Sequence, residues 1–426
     1  MLTVGSRIIG QAIDVDFLGQ GVVKHEEYVI FVKSMLLSEV AEIEITSLKK
    51  RFAEAKIVSL IERSQKRKEI DVILESCDLL HMDDEEQLVW QKKITQETIK
   101  KIAGLDLSVG DTLSDHRFVH YRNKSVFHVL NEPVLALGLY ALNNQSLVKT
   151  EDFILSDPLA NRIVSTLHQA HIKIEEHSIC HLAIRTNEKH QALVTIVSYM
   201  KTFRGLNHIV SVLKKMPEII GITCNIKKDE RHILSQESYL LYGEPTIFLS
   251  LGSWVYPVSD QSFFQINIPV IQMAYDLIKD HIKPKAKVID AYSGVGSIGY
   301  YLLDQVSQMT FIEANPDAIK MALDIKYKHE LTQVTILEGK VEEFIQETEG
   351  DVLIVDPPRF GLASELTKII IDKAYEQIFY VSCDIKTLSR DLSLLNDRYE
   401  VKKVIPLRMF PQTTSLETLV IMELKK

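Results

Sequence analysis

The sequence predicts an α/β protein. Its last part forms a doubly wound, mostly parallel sheet, preceded by a small β-barrel and an α+β middle region. Three observations carry this. Five short runs of alternating apolar residues fill roughly the first sixty positions, strand and helix patterns alternate regularly after Lys285, and a glycine-rich turn follows the first of the later strands.

In the barrel region, Arg7–Asp14, Gly21–Lys24, Tyr28–Val32, Val40–Thr46 and Ala55–Ile61 alternate as half-buried strands do, with Gly19 and Gly21 at a turn. Five such strands suggest a closed barrel of the oligonucleotide-binding type over residues 1–63. Residues 82–103 read as a helix, acidic at its start and lysine-rich at its end, as the helix dipole prefers. This helix opens a middle region, 64–255, with strand-like pieces at His181–Arg185, Ala192–Ser198 and Gly221–Asn225 and no internal repeat. In residues 256–426 strands are expected at Lys287–Ala291, Thr310–Glu313, Val334–Leu337, Val352–Asp356, Ile378–Ser382, Val401–Pro406 and Leu419–Glu423. Helical stretches separate the early ones, one of them opened by Asn315 as cap and Pro316 at its first position. No helix separates the last two strands, so one of them should enter antiparallel.

Composition narrows the function. The chain has 426 residues, enough for two or three domains, and is 46% hydrophobic and 25% charged, which excludes a disordered or collagen-like chain. No run approaches ~18 consecutive apolar residues, so no membrane span is expected. The opening MLTVGSRIIG lacks the regions of a secretory signal. Cys77, Cys180, Cys224 and Cys383 form no CxxC pair, so neither a disulfide scaffold nor a zinc site is expected, and a cytoplasmic setting fits. The net charge of −9 argues against indiscriminate coating of nucleic acid, yet residues 49–68 hold eight Lys/Arg against two Glu. Charge alone leaves a solvated strand edge and an RNA-facing surface equally open for that run.

The first late strand ends in VIDAYSGVGSIGYYL, where Gly294, Gly296 and Gly299 have the spacing G-x-G-x-x-G. Glu313 ends the next strand, where a carboxylate can accept hydrogen bonds from ribose hydroxyls. This pair fits a dinucleotide as well as S-adenosylmethionine. Asp356-Pro357-Pro358-Arg359 follows the fourth strand and Ser382-Cys383-Asp384 the fifth, both at the ligand-binding edge of such sheets. Cys383 also precedes a helix, a position that favours the thiolate a nucleophile needs, whereas Cys77, Cys180 and Cys224 read as small core residues. If the last strand is antiparallel, Glu417 at its start joins Cys383 and Asp356 on one rim.

Six segments, QSFFQIN (261–267), DAYSGVGSIG (290–299), FIEAN (311–315), VDPPRFGL (355–362), VSCDIKTLSRDL (381–392) and MFPQTTSLE (409–417), together resemble the RNA uracil-C5 methyltransferases that use S-adenosylmethionine. YRNK (121–124) and GLYALNNQSLV (138–148) look like that family's middle domain, and the barrel is similar to the TRAM module of its ribosomal-RNA members. The resemblance implies a class I methyltransferase domain over 256–426, S-adenosylmethionine as cofactor, and 23S rRNA as partner, with no membrane and no obligate protein partner. Transfer RNA is the alternative substrate; a nicotinamide-dependent oxidoreductase and a non-catalytic RNA-binding relative are the alternative classes. Carried over, Gln265, Tyr292, Gly294, Gly296, Glu313 and Asp356 would bind the cofactor, Cys383 would be the nucleophile and Glu417 the base. Phe263 and Phe264 would be core aromatics or stack on an RNA base, and Lys49, Lys50 and Arg51 would meet RNA phosphates.

Four departures from the family pattern matter. LESCDLLH keeps only Cys77, with Leu74 and Phe153 where other cluster ligands would stand; one thiol cannot hold an iron–sulfur cluster, so none is expected, nor any other metal. Lys340 stands where an acid is usual, so no adenine contact is assigned to it. Arg408 and Ser415 replace an Asp and a His close to Glu417, which bears on how Glu417 is placed.

Overall fold

The computed structural model describes residues 2–70, 74–141 and 146–426. Strands β1 (Arg7–Val15), β2 (Gly21–His25), β3 (Tyr28–Val32), β4 (Val40–Leu48) and β5 (Phe52–Glu62) close into a barrel in the order β1-β2-β3-β5-β4. Alternation puts Val23, Ile30, Val32, Ala41, Ile43, Ile45, Ala53 and Ala55 inside it. The linker leaving the barrel is clamped to it: Arg67 makes a two-pronged ion pair with the buried Glu39, at 2.6 and 2.7 Å.

Helix α1 (Asp84–Ala103) is capped by Asp83, whose carboxylate accepts from the Glu85 and Glu86 N–H groups. Its Trp90, Ile94 and Ile99 are buried in one core with Leu388, Leu392 and Leu395 of a later helix. Each such side chain contributes roughly 1.5–3 kcal/mol when fully buried. The helix is therefore a structural part of the C-terminal domain, although it lies far from it in sequence.

The middle region holds β6 (Lys124–Val129), β7 (Leu137–Tyr140), β8 (Leu147–Lys149), β9 (Ile179–Thr186), β10 (Ala192–Ser198), β11 (Ile219–Ile226) and β12 (Ser238–Gly243), with α2 (Pro158–Gln169) and α3 (Leu206–Leu213). Their order is β12-β11-β10-β9-β6-β7-β8; β10 and β11 pair in parallel and the other neighbours antiparallel. Residues 142–145 of the GLYALNNQSLV segment lie outside the described residues. A hairpin of β13 (Thr246–Leu251) and β14 (Trp254–Ser259) follows and shares its core with the C-terminal sheet, so the boundary expected at 255/256 falls inside β14.

After α4 (Ile268–His281) come β15 (Lys287–Ala291), α5 (Ser297–Tyr301), β16 (Gln308–Glu313), α6 (Pro316–Lys328), β17 (Val334–Glu338), α7 (Val341–Phe344), β18 (Val352–Val355), α8 (Ser364–Lys373), β19 (Gln377–Ser382), α9 (Ile385–Leu395), β20 (Tyr399–Leu407) and β21 (Glu417–Leu424). The sheet order is β17-β16-β15-β18-β19-β21-β20. As expected, α6 is capped by Asn315 with Pro316 at its first position. Strand β21 runs antiparallel to both of its neighbours. No helix among the described residues is long and apolar enough to cross a membrane.

Candidate active site

The strand order assembles the rim. Strands β18 and β19 are parallel neighbours, so Asp356 and Cys383, each just past its strand, emerge at the same edge. Strand β21 returns antiparallel with Thr418 opposite Ser382, which places its first residue, Glu417, at that edge too. The condition set by the sequence is met. The three groups feel one another: Glu417 and Asp356 both oppose ionisation of the Cys383 thiol, and Arg359 favours it.

The resulting electrostatics correct one expectation. Burial first, then the two carboxylates, push the Cys383 thiol up to about 11, so the free protein holds a thiol and not a thiolate. The amides at the start of α9 do not assist, because Asp384 caps them: its carboxylate accepts from the N–H groups of Lys386 at 2.8 Å and Thr387 at 3.0 Å. Burial, and next the charge of Asp356, raise Glu417 well above the usual carboxylate range, with Arg359 pulling the other way. Burial pushes Asp356 up to about 7. Two carboxyls and a thiol sharing one sparsely solvated rim cannot all be charged at once.

The glycine turn lies on the neighbouring strand. Gly294 has φ +56, and a side chain there would meet nothing within 4 Å, so the backbone faces open space. Gly296 and Gly299 differ, because a Cβ on either would strike the ring of Phe311 at 2.5 and 2.1 Å; they let α5 pack on the sheet. Gly296 is thus a packing position of the turn, and Gly294 is the one open to a ligand. Glu313 holds the turn in place: its Oε2 accepts from the Gly294 N–H at 2.8 Å, and its Oε1 from Ala314 and Asn315 at 2.8 and 2.7 Å. A carboxylate can accept about four hydrogen bonds, so room remains for a hydroxyl. Asp290 Oδ1 and Ser293 Oγ beside the turn are buried without a partner among the described residues, as polar groups waiting for a ligand would be. Tyr292 has a positive φ of 61° and donates to Glu342 at 3.4 Å. An acid therefore approaches Tyr292 from position 342, whereas Lys340 is exposed.

The QSFFQ stretch divides as its two phenylalanines allow. Phe264 is buried against Tyr256, with ring centres 5.2 Å apart, while Phe263 is 76% exposed. Gln265 is half-buried beside Phe264, its carbonyl accepting from Asn123 Nδ2 at 2.9 Å.

Arg408 is fully buried, and its guanidinium donates to the side chain of Gln87, to Gln91 Oε1 at 3.5 Å and to the Thr413 carbonyl at 3.2 Å. Gln91 in turn donates to the Leu407 carbonyl at 2.9 Å, and Gln87 to Gln412 Oε1 at 2.8 Å. Helix α1 therefore fastens the segment leading to Glu417, and the arginine is absorbed as a donor to that helix. Ser415 is exposed.

The basic run splits as well. Lys56, Arg63, Lys66, Arg67 and Lys68 pair with Glu44, Glu69, Glu86, Glu39 and Asp84, so that portion is a solvated or structural face. Lys49, Lys50 and Arg51, at the exposed tip between β4 and β5, have no ion-pair partner among the described residues. The barrel also touches the rim. Phe17 of its β1–β2 loop lies under Lys386, 3.6 Å from ammonium to ring centre, and Trp90 Nε1 donates to the Asp16 carbonyl at 3.0 Å. Cys77 sits in the apolar core with Phe153 and Leu155, Leu74 packing against them, and burial pushes its thiol up to about 12. Among the described residues no group of three or more His, Cys, Asp or Glu could hold a metal ion.

Two features escaped the sequence reading. Asp290 is fully buried on β15, accepts from the Gly299 N–H at 3.0 Å and is pushed up to about 8, chiefly by burial. An acid four residues before the first glycine of the turn was the available signal. The Gln87–Gln91–Arg408 network had none, because Arg408 is more than 300 positions from the two glutamines.

Comparison with known proteins gives concordant findings. The family described as tRNA (uracil-5-)-methyltransferase matches residues 344–425. An uncharacterized RNA methyltransferase of Staphylococcus epidermidis is 30% identical over 435 residues, covering 96% of this chain and 95% of its own. One from Staphylococcus aureus is 29% identical over 444 residues, covering 98% of each. Among solved structures, the Pyrococcus abyssi tRNA (uracil-54, C5)-methyltransferase in complex with S-adenosyl-L-homocysteine superposes with a TM-score of 0.78 at 20% identity, over 97% of this chain and 99% of that one.

Proposed function

Because the chain belongs to the RNA uracil-5-methyltransferase family, we propose that it methylates C5 of a uridine in RNA with S-adenosylmethionine as donor. The observation that carries this reading is the antiparallel return of β21, which sets Glu417 beside Cys383 and Asp356. The cofactor fits the residues present. Gly294 leaves backbone open to it, Glu313 has acceptor capacity for its ribose, and Gln265, Tyr292 and Asp356 would hold the remainder. Bound there, it supplies a methyl group on a cationic sulfonium, which suits an edge rich in carboxyls.

Cys383 Sγ adds to uracil C6, its proton passing to solvent water as the S–C bond forms, and leaves the ring as an enolate whose C5 can accept the methyl group. Glu417 then removes the C5 proton, and elimination releases the thiolate. Glu417 does this as the carboxylate, the form that the charge of Arg359 favours against burial and Asp356. Arg359 is the cation in this group, and its charge offsets those of Cys383 and Glu417. Phe263 offers an exposed ring for stacking an unpaired base, and Lys49, Lys50 and Arg51 extend the contact to phosphates.

The substrate we propose is 23S rRNA, acted on in the cytoplasm, with the barrel over 1–63 as an RNA-binding module. A second reading, transfer RNA, has a specific observation behind it: the Pyrococcus abyssi protein, a tRNA (uracil-54, C5)-methyltransferase, matches 97% of this chain. Mapping 5-methyluridine in rRNA and tRNA from a strain lacking this protein separates the two. Loss of a site in 23S rRNA alone supports the first reading, and loss in tRNA alone replaces it with the second.

A further inference from the structure

The YRNK segment ties two stretches of the C-terminal domain together and leaves one of its own residues unpaired. Tyr121 donates to the Pro411 carbonyl at 3.2 Å, and Asn123 binds the Gln265 carbonyl through its side chain and the Ile266 carbonyl through its N–H, at 2.9 and 3.2 Å. Arg122 lies over the Phe153 ring, 5.6 Å from its centre. The Lys124 side chain has no hydrogen-bond or ion-pair partner among the described residues and is half-buried.

Its surroundings are unusual. Lys124 stands directly opposite Arg185 in the β6–β9 ladder, and like charges in that relation destabilise a sheet. Arg185 is 3% exposed and donates through Nη2 to the Ser262 carbonyl at 2.8 Å, while its Nε and Nη1 have no partner among the described residues. The carboxylate that acts on both cations, Asp260, already accepts from Ser238 Oγ at 2.5 Å and the Gln261 N–H at 3.0 Å. The pair thus carries a net positive charge in a poorly solvated place. Burial and Arg185 push Lys124 down to about 8, which leaves it protonated at neutral pH. Ser262, held by Arg185, directly precedes the exposed Phe263.

We propose that Lys124, with Arg185 behind it, seats an RNA phosphodiester beside the base-stacking ring of Phe263. This rests on the reading of the chain as an enzyme that acts on RNA. A nucleotide stacked on Phe263 brings its phosphate with it, and that anion relieves the repulsion between the two cations. Lys124 makes the contact; Arg185, too deep to touch an RNA chain, acts through its charge.

The test uses the full chain with Lys124→Met and Lys124→Arg. Each is titrated with a short oligouridylate across a salt series, and S-adenosylhomocysteine binding is measured by calorimetry on the same preparations. Lys124→Met should bind the oligonucleotide more weakly, and its slope of log K against log salt should be shallower by about 0.7, the share of one single-strand phosphate. Lys124→Arg should restore the slope, and S-adenosylhomocysteine affinity should be the same in all three proteins. An unchanged slope in Lys124→Met overturns the proposal. So does a loss of S-adenosylhomocysteine affinity with oligouridylate binding intact, which would assign the pair to the cofactor's carboxylate. Wild-type protein that binds S-adenosylhomocysteine but neither oligouridylate nor ribosomal RNA would instead remove the RNA reading itself, before any variant is compared.

Discussion

Glu39 and Glu417 are the same residue type at nearly the same depth, and their environments push them in opposite directions. Burial raises the proton affinity of Glu39, but Arg67, the Leu36 and Ser64 N–H groups and the Arg67 charge outweigh it, so the carboxyl stays below its usual range. Glu417 is also buried, yet its carboxylate has no hydrogen-bond donor among the described residues, and burial with Asp356 raises it well above that range. The first acid is saturated and structural; the second is left free to exchange a proton. The pH consequences are opposite too. Glu39 contributes stability above about pH 4.5 that is lost as the pH falls through its lowered folded value. Asp290, raised to about 8, contributes in its protonated form below its ordinary 3.8, and that contribution is lost as the pH rises toward 8. The barrel should weaken in acid, while the rim becomes less favourable as the pH rises.

Four variants sharpen this contrast. The largest effect is expected at the rim: Cys383→Ala removes the atom that bonds to C6, so methyl transfer should vanish in an assay with radiolabelled S-adenosylmethionine. In the unsubstituted free protein, alkylation of Cys383 should be slow at neutral pH and keep accelerating toward about pH 11. An alkylation rate that levels off near pH 7 would show the thiol to be pre-ionised. In the barrel, Arg67→Met leaves Glu39 buried and unpaired and should cost about 3–5 kcal/mol in denaturant unfolding, without changing S-adenosylhomocysteine affinity. A loss under about 1 kcal/mol would mean that the pair is exchanged for water at no great cost.

Glu313→Ala removes the acceptor for the Gly294 N–H together with the expected ribose contact, and should weaken cofactor binding by about 1–3 kcal/mol in calorimetry. Unaltered affinity with loss of transfer would place the cofactor elsewhere. The smallest effect belongs to the barrel tip. Reversing Lys49, Lys50 and Arg51 to Glu should weaken RNA binding and flatten its salt dependence while leaving the cofactor alone. The same slope as wild type would make the tip an ordinary solvated turn.

The barrel and the C-terminal sheet were legible because their strands carry period-two alternation or short buried runs bounded by turns, and both were placed to within a few residues. That one of the last two strands enters antiparallel followed from the missing helix between them, and the fold shows that it is β21. The middle sheet was less legible, since β6 lies between β7 and β9 and its pairing with β9 joins strands separated by about fifty residues of other structure. At the site, the positions of Cys383, Asp356 and Glu417 could be read, but their proton affinities could not. Asp384 looked like part of the motif and proved to be the cap that occupies the amides of α9. Likewise Phe263 and Phe264 are indistinguishable in sequence, and only the fold shows which ring is free. Arg408 reads as a departure from a pattern until α1, distant in the chain, supplies its acceptors.

The assignment of Cys383 as nucleophile and Glu417 as base is tested most directly by Glu417→Gln incubated with RNA and S-adenosylmethionine and run on a denaturing gel. The substitution keeps the shape of the side chain but removes the base, which is needed only after the methyl group has moved. Addition to C6 and methylation at C5 should proceed while elimination stalls, so a retarded band of protein covalently linked to methylated RNA should accumulate and should disappear when Cys383→Ala is added to the same chain. Normal turnover by Glu417→Gln, or a linked band that survives Cys383→Ala, would contradict the assignment.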